Sequence, residues 1–215
     1  MKIIPADKSQ APEIASLIME AMNYECCKNL AGENHTLHDF FMLMTSLVER
    51  EDSQYSYLNT DVALNDQGVV TGACVSYDGG SLLSLHEAFI EEALWRLGID
   101  YSQMDPETQN GEFYIDSLCV HSNFRRQGIA TALLQSALHK AQRYGLPAGL
   151  LVDNNNPKPN SYIGGWDLPI AMPASGVAMR WSTLYILYHL QAFQINRTPM
   201  IYHLLKRRAA IIKCS

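Results

Sequence analysis

The chain has 215 residues, of which 47% are hydrophobic and 18% charged, with a formal net charge of -6; that size supports one sizeable core and is small for two independent domains of typical length. The acidic balance excludes wholesale binding to nucleic acid, so any anion site has to be local. Five cysteines without a Cys-x-x-Cys spacing read as reduced thiols in a cytoplasmic setting rather than as a disulfide framework, and no apolar run reaches the ~18 to 20 residues that span a bilayer.

The opening residues lack an apolar leader, and residues 2–4 predict a first strand stopped by Pro5, with Asp7 or Ser9 placed to cap a helix. Ile14, Leu17, Ile18, Ala21 and Met22 recur at helical spacing, and Leu37, Phe40, Phe41, Met44, Leu47 and Val48 do so again, which predicts two amphipathic helices. His35 and His38 share an i, i+3 spacing, but no further ligand type lies near them in sequence, so no metal is expected. Residues 61–64, the turn 65–68 and residues 69–77 predict a hairpin, since Gly68 can take the positive φ such a loop needs. Residues 81–109 read as an insertion with one helix, expected to form part of an acceptor pocket wall.

Residues 112–120 predict a central strand and 128–144 a long helix whose apolar face carries Ala130, Leu133, Leu134, Ala137, Leu138 and Ala141. Between them runs a short basic turn, Asn123-Phe124-Arg125-Arg126-Gln127-Gly128. The first N–H groups of a helix have no acceptor within it, and its dipole adds partial positive charge there. A strand feeding such a turn therefore predicts a diphosphate cradle, with Gly128 letting the ligand approach the amides. Residues 149–152 predict a fifth, buried strand, and Asp153-Asn154-Asn155-Asn156-Pro157 a polar turn.

The pattern Arg125-x-x-Gly128-x-Ala130, in this strand-turn-helix setting, resembles the (Q/R)-x-x-G-x-(G/A) acyl-CoA signature of the GNAT superfamily of N-acetyltransferases. The resemblance implies an α/β (α+β) GNAT-type acyl-CoA N-acyltransferase fold over residues 1–156, a mixed central sheet with splayed central strands flanked by helices. It implies acetyl-CoA as cosubstrate, an amine of a small molecule or protein as acceptor, no nucleic-acid or membrane partner, and room for a homodimer through the last strands. Leu118, Cys119 and Val120 would then offer main-chain contacts to the pantetheine arm, and Arg125, Arg126, Gln127, Gly128, Ile129, Ala130 and Thr131 would hold the diphosphate. Asn155 or Asn156 would bond the cofactor arm. On its own residue chemistry, Cys119 reads as a small buried hydrophobe rather than a nucleophile.

Asp116, an acid within the apolar strand, is the candidate general base, acting directly or through water; a solvent-facing carboxylate, or one bonded to a neighbouring loop, is the plainer alternative. Glu87 and His86 in the insertion are weaker candidates. Glu91, Glu92, Asp100, Asp105 and Glu107 lean slightly toward a cationic acceptor.

Past Asn156 the family continues N-x-x-A-x-x-L-Y-x-x-x-G-F, a helix whose tyrosine often protonates the leaving thiolate. Here Pro157, Pro159, Gly164 and Gly165 oppose a helix, and Tyr162 stands one position before the family tyrosine. If each codon is rebuilt from the third base of one triplet and the first two of the next, Trp166 followed by Asp167 forces a glycine. Ser161 followed by Tyr162 permits a leucine, and from Lys158 the string K-A-E-Q-L-Y-R-R-V-G-F is allowed. A one-nucleotide frameshift near Lys158 is therefore expected, making residues 157–215 a frameshifted segment in place of the last family helix and strands. The alternative is a divergent C-terminus, in which Tyr185, Ile186, Leu187 and Tyr188 with Ile201, Leu204 and Leu205 form a late strand or helix. An acyl-CoA binder with weak or no catalysis is the competing function.

Overall fold

Apolar residues on both faces of residues 70–78 and 113–120 demand layers on both sides of a sheet. The computed structural model, which describes residues 1–153, 170–171 and 181–186, has that architecture. Strands β1 (Lys2–Pro5), β2 (Thr60–Leu64), β3 (Val70–Asp78), β4 (Phe113–Val120), β5 (Ala148–Asp153), β6 (Ile170–Ala171) and β7 (Trp181–Ile186) form a sheet of order β1-β2-β3-β4-β5-β7-β6. Only the β4–β5 pair is parallel; the other neighbours run antiparallel. The mixed sheet with flanking helices is the fold class expected from sequence. Tyr185 and Ile186 fall within β7, whereas Leu187, Tyr188, Ile201, Leu204 and Leu205 lie outside the described residues.

Helices α1 (Ala11–Met22), α2 (Tyr24–Ala31), α3 (Leu37–Glu49) and α4 (Leu82–Leu97) cover one face. Ile14, Ile18, Phe40, Leu43, Leu47 and Phe89 pack there against Val62, Val75, Tyr77 and Tyr114. Helix α5 (Ile129–Tyr144) covers the other, where Leu133, Leu134, Ala137 and Leu138 meet Cys74, Phe113, Ile115 and Val120. Three helices precede β2 where the periodicity predicts two. Asn23 takes φ +64° and its side chain accepts from the Cys26 N–H, so the chain turns and restarts as α2. With only Cys27, Leu30 and Ala31 buried, that short helix repeats its apolar face too few times to register. His35 precedes the Thr36 cap of α3, so His35 and His38 do not share a helix face.

The hairpin between β2 and β3 turns as expected: Gly68 has φ +78°, and the Asn65 side chain accepts from the N–H groups of Gln67 and Val69. Gly72 sets the distance between sheet and α5. A Cβ there would stand 2.9 Å from the Cys119 carbonyl oxygen and 3.2 Å from Ile129 and Leu133 side-chain carbons, so only glycine lets the start of α5 settle onto β3 and β4. Asp61, 2% exposed, holds α5 to β2 by accepting from Lys140 Nζ at 2.7 Å and Ser136 Oγ at 2.8 Å.

Removing one partner of such a pair leaves the other charge uncompensated in a poorly solvated place. Asp61→Ala is expected to lower the unfolding free energy by about 3 kcal/mol, and Lys140→Met in the same chain to restore part of it; urea denaturation of the single and double variants measures both.

Candidate active site

β4 and β5 pair at two positions only, Phe113 with Ala148 and Tyr114 with Gly149. Beyond them β4 runs on to Val120 held by β3, and β5 runs on to Asp153 held by β7. The sheet therefore parts between its central strands. From Ile115 onward, the edge of β4 that faces β5 has no strand partner among the described residues, and Leu118, Cys119 and Val120 lie along this opening. Cys119 is 9% exposed, and burial pushes its thiol up to about 12, which fits a packing side chain and not a thiolate nucleophile.

The turn after β4 closes with Arg126 at φ +66° and Gly128 at φ +79°. Gly128 caps α5 without a side-chain bond, and its carbonyl accepts from Ala132 N–H at 3.0 Å. The amides of Arg126, Gln127, Gly128, Ile129, Ala130 and Thr131 donate to nothing among the described residues. A Cβ on Gly128 would meet nothing within 4 Å, so this glycine meets a backbone requirement and keeps the amides open. Such an array at a helix start binds anions. Arg125 is committed elsewhere: its Nε donates to the Val120 carbonyl at 3.0 Å and its guanidinium pairs with Glu20 of α1. Arg126 and Gln127 are exposed beside the amides. Asn155, Asn156 and Tyr162 lie outside the described residues.

On the α1–α4 face, the pairing of β3 and β4 slips between Val75, opposite Ser117, and Ser76, opposite Ile115. Asp116 is the extra residue of this bulge, and bulges re-aim side chains. Asp116 is half-buried. It accepts from Tyr77 Oη at 2.8 Å, Ser117 Oγ at 2.9 Å and Gln54 Nε2 at 3.3 Å. Burial raises its pKa, and these three donors pull the other way. Close by, Glu107 accepts from Tyr114 Oη at 3.0 Å, and burial together with the Asp116 charge pushes Glu107 up to about 7. Burial and the same charges hold the Tyr55, Tyr77 and Tyr114 hydroxyls well above their usual range, so they remain protonated donors.

A cavity of about 70 Å³ opens on this face, lined by apolar Met22, Leu30, Tyr55 and Phe89 and by polar Gln54, His86 and Glu107. His86 Nδ1 lies 2.6 Å from Gln54 Oε1, and burial lowers its pKa. Glu87, by contrast, is exposed. A larger cavity of about 360 Å³ is lined by Tyr77, Asp78 and Phe113 of the sheet, by Leu85 of α4 and by Lys140 and Tyr144 of α5. Sequence reasoning had placed Asp116 on the strand and His86 and Glu107 in the insertion. It missed Gln54, Tyr55, Tyr77 and Tyr114, which no local pattern marks. No group of three or more His, Cys, Asp and Glu side chains among the described residues could hold a metal ion.

The model of the acetyltransferase (GNAT) family matches residues 24–159. No curated protein matches the chain in sequence. Among solved structures, the chain is similar to an acetyltransferase at 20% identity, over 86% of this chain and 97% of that one, with a TM-score of 0.69. An N-acetyltransferase from Staphylococcus aureus is similar at 18% identity over 86% and 100% of the two chains, with a TM-score of 0.66. The histone acetyltransferase HPA2 and related acetyltransferase from Corynebacterium glutamicum follows at 16% identity, over 86% and 94%, with a TM-score of 0.54. At these identities the likeness is one of fold.

Glu107 ties stability to pH. Its pKa rises from 4.5 to about 7 on folding, so above 4.5 the unfolded chain releases a proton that the folded chain keeps. The stability this contributes is whole below 4.5 and is lost as pH rises through 7. Glu107→Gln is expected to be more stable than the native chain by about 2 kcal/mol at neutral to mildly alkaline pH. The difference should vanish toward the lower value, as read by urea denaturation across a pH series.

Proposed function

The chain belongs to the acetyltransferase (GNAT) family, and on that premise we propose that it moves an acetyl group from acetyl-CoA to a primary amine of a small molecule or a protein. One coincidence carries this reading: the open amides at the start of α5 stand at the mouth of the gap between β4 and β5. In the proposed complex the N–H groups from Gln127 to Thr131 hold the diphosphate and Arg126 adds charge. Arg125, held by Glu20 and Val120, fixes the turn against β4. The pantetheine arm lies along Leu118, Cys119 and Val120, whose main chain polarises the thioester carbonyl. Asn155 or Asn156 bonds the arm on its other side, by resemblance to the family, and Tyr162 is the proposed acid for the departing thiolate.

The amine reaches the thioester from the cavity beside Tyr55, His86 and Glu107. Holding both reactants beside one strand supplies most of the rate, because orientation replaces a bimolecular encounter. The amine loses its proton on this polar face, where His86, Gln54 and Asp116 are joined by hydrogen bonds. A cytoplasmic site of action is part of the proposal; no helix of the described residues is long and apolar enough to cross a membrane.

A second reading is an acyl-CoA binder with weak transfer, favoured by Pro157, Pro159, Gly164 and Gly165 where the family has a helix. Comparing this chain with one whose frame is restored from Lys158, by thiol release over an amine panel, separates the two. Faster transfer by the restored chain supports the second reading, and equal rates remove it.

Gly128→Val tests the cradle. Forcing a β-branched residue into φ +79° costs about 1 to 2 kcal/mol of stability, with no internal clash to add to it. Acetyl-CoA at ~100 times its dissociation constant should stabilise the native chain by about 2.7 kcal/mol and the folded variant by far less. Equal thermal shifts in the two proteins would remove the assignment of the diphosphate to this turn.

A further inference from the structure

Asp116 is poorly placed to take a proton itself, because three donors already occupy its oxygens. Burial raises the Asp116 pKa and the hydrogen bonds from Tyr77, Ser117 and Gln54 oppose it; Oδ2, which meets both Tyr77 Oη and Gln54 Nε2, is the accepting oxygen. That fixes Gln54. Its NH2 faces the carboxylate, so its carbonyl Oε1 is the atom that meets His86 Nδ1 at 2.6 Å. A carbonyl can only accept, so the proton of the neutral imidazole sits on Nδ1. Nε2 then carries the lone pair, and it bonds nothing among the described residues.

The chain of contacts is held firmly. Gln54 is 3% exposed, its N–H donates to the Leu85 carbonyl one residue before His86, and its own carbonyl accepts from Asn59 Nδ2. His86 stacks on Phe89 at 5.4 Å and lines the cavity of the candidate acceptor site. The titratable groups facing that space are Cys26 from α2, Tyr55 beside Gln54, and Asp105 and Glu107 from the segment before β4, with Asp116 beyond Gln54.

We propose that His86 is the base that takes the proton from the acceptor's ammonium group, and that Gln54 and Asp116 are positioning residues that lock its tautomer. This rests on the amine-acetylating reading above. The N–H proton of the ammonium passes to His86 Nε2, giving an imidazolium with Nδ1–H still bonded to Gln54. The freed amine lone pair forms the new C–N bond at the thioester carbonyl of acetyl-CoA, the adduct nitrogen gives up its second proton to solvent, and the C–S bond breaks with its electron pair leaving on sulfur. The thiolate is neutralised by a proton from the acid proposed above, which solvent reprotonates, and the imidazolium returns its proton to solvent. Burial lowers the His86 pKa and so favours the neutral imidazole that can accept a proton.

Two measurements test this on the full chain. The tautomer is read without any substrate, from ¹⁵N-histidine correlation spectra of the protein: Nδ1 protonated and Nε2 bare in the native chain, and a mixture of both tautomers in Gln54→Leu. The opposite native tautomer overturns the proposal, whatever the acceptor. The second is the pH profile of kcat/KM for the amine in a panel that transfers fastest. His86→Ala and His86→Gln should lose about 100-fold or more at neutral pH and recover as pH approaches the amine's own pKa, where no base is needed. A deficit that stays constant with pH, or no deficit, overturns the role of His86. No transfer to any amine by the native chain, with the expected tautomer intact, overturns the acetylating reading and the role of base with it, leaving only the locked imidazole.

Discussion

The parting of β4 from β5 is the constraint on which the rest of the molecule turns. Each strand keeps a full partner on its outer side, β3 for β4 over seven positions and β7 for β5 over six, while the two share only two positions with each other. The inner edges beyond Tyr114 and Gly149 are left with main-chain donors and acceptors that neither strand satisfies. A buried group in that state costs roughly 1 to 3 kcal/mol, so the gap is stable only where water or a ligand with its own polar groups enters. One of these groups, the Val120 carbonyl, is satisfied by Arg125, which ties the end of β4 to the turn that carries the open amides.

The bulge at Asp116 connects this gap to the chemistry on the other face. An extra residue in β4 increases the local twist and bends the strand, at the place where β4 leaves β5. It also shifts the alternation of side chains, so that Tyr114 and Cys119 face the α1–α4 layer while Ile115 and Leu118 face α5. Asp116, two residues on from Tyr114, keeps the face of that residue and meets Tyr77 and Gln54.

How much of this was legible in the sequence follows from how local each feature is. The run from Phe113 to Leu134 announces strand, turn and helix because every cue lies within a few residues of the next: apolar alternation, two arginines, Gly128, then apolar residues on one helical face. The hairpin around Gly68 was legible for the same reason. The network on the α1–α4 face was not, since Gln54 reaches Asp116 across 62 positions and His86 across 32. Its tyrosines, on strands, look like ordinary core residues. Arg125 was legible as a basic residue of the turn, but its pairing with Glu20, 105 positions away, depends on how α1 packs against β4. The break between α1 and α2 depends on one asparagine at positive φ, a conformation that asparagine tolerates but that its presence does not dictate.

The two carboxylates of the α1–α4 face, Asp116 and Glu107, illustrate why the proposed acceptor site is built from interacting acids and not from one. A single ionised carboxylate beside an ammonium would hold it by charge and raise its pKa, opposing the deprotonation that attack requires. A neutral pocket would not draw the cation in. With Asp116 bonded by three donors and Glu107 pushed up to about 7 by burial and by the Asp116 charge, Glu107 is a member of the pair that titrates near neutral pH. A positive charge arriving in the cavity favours the ionised form of Glu107, and its loss on deprotonation favours the protonated form. The hydroxyls of Tyr77 and Tyr114, held protonated, keep both carboxylates oriented as that charge changes.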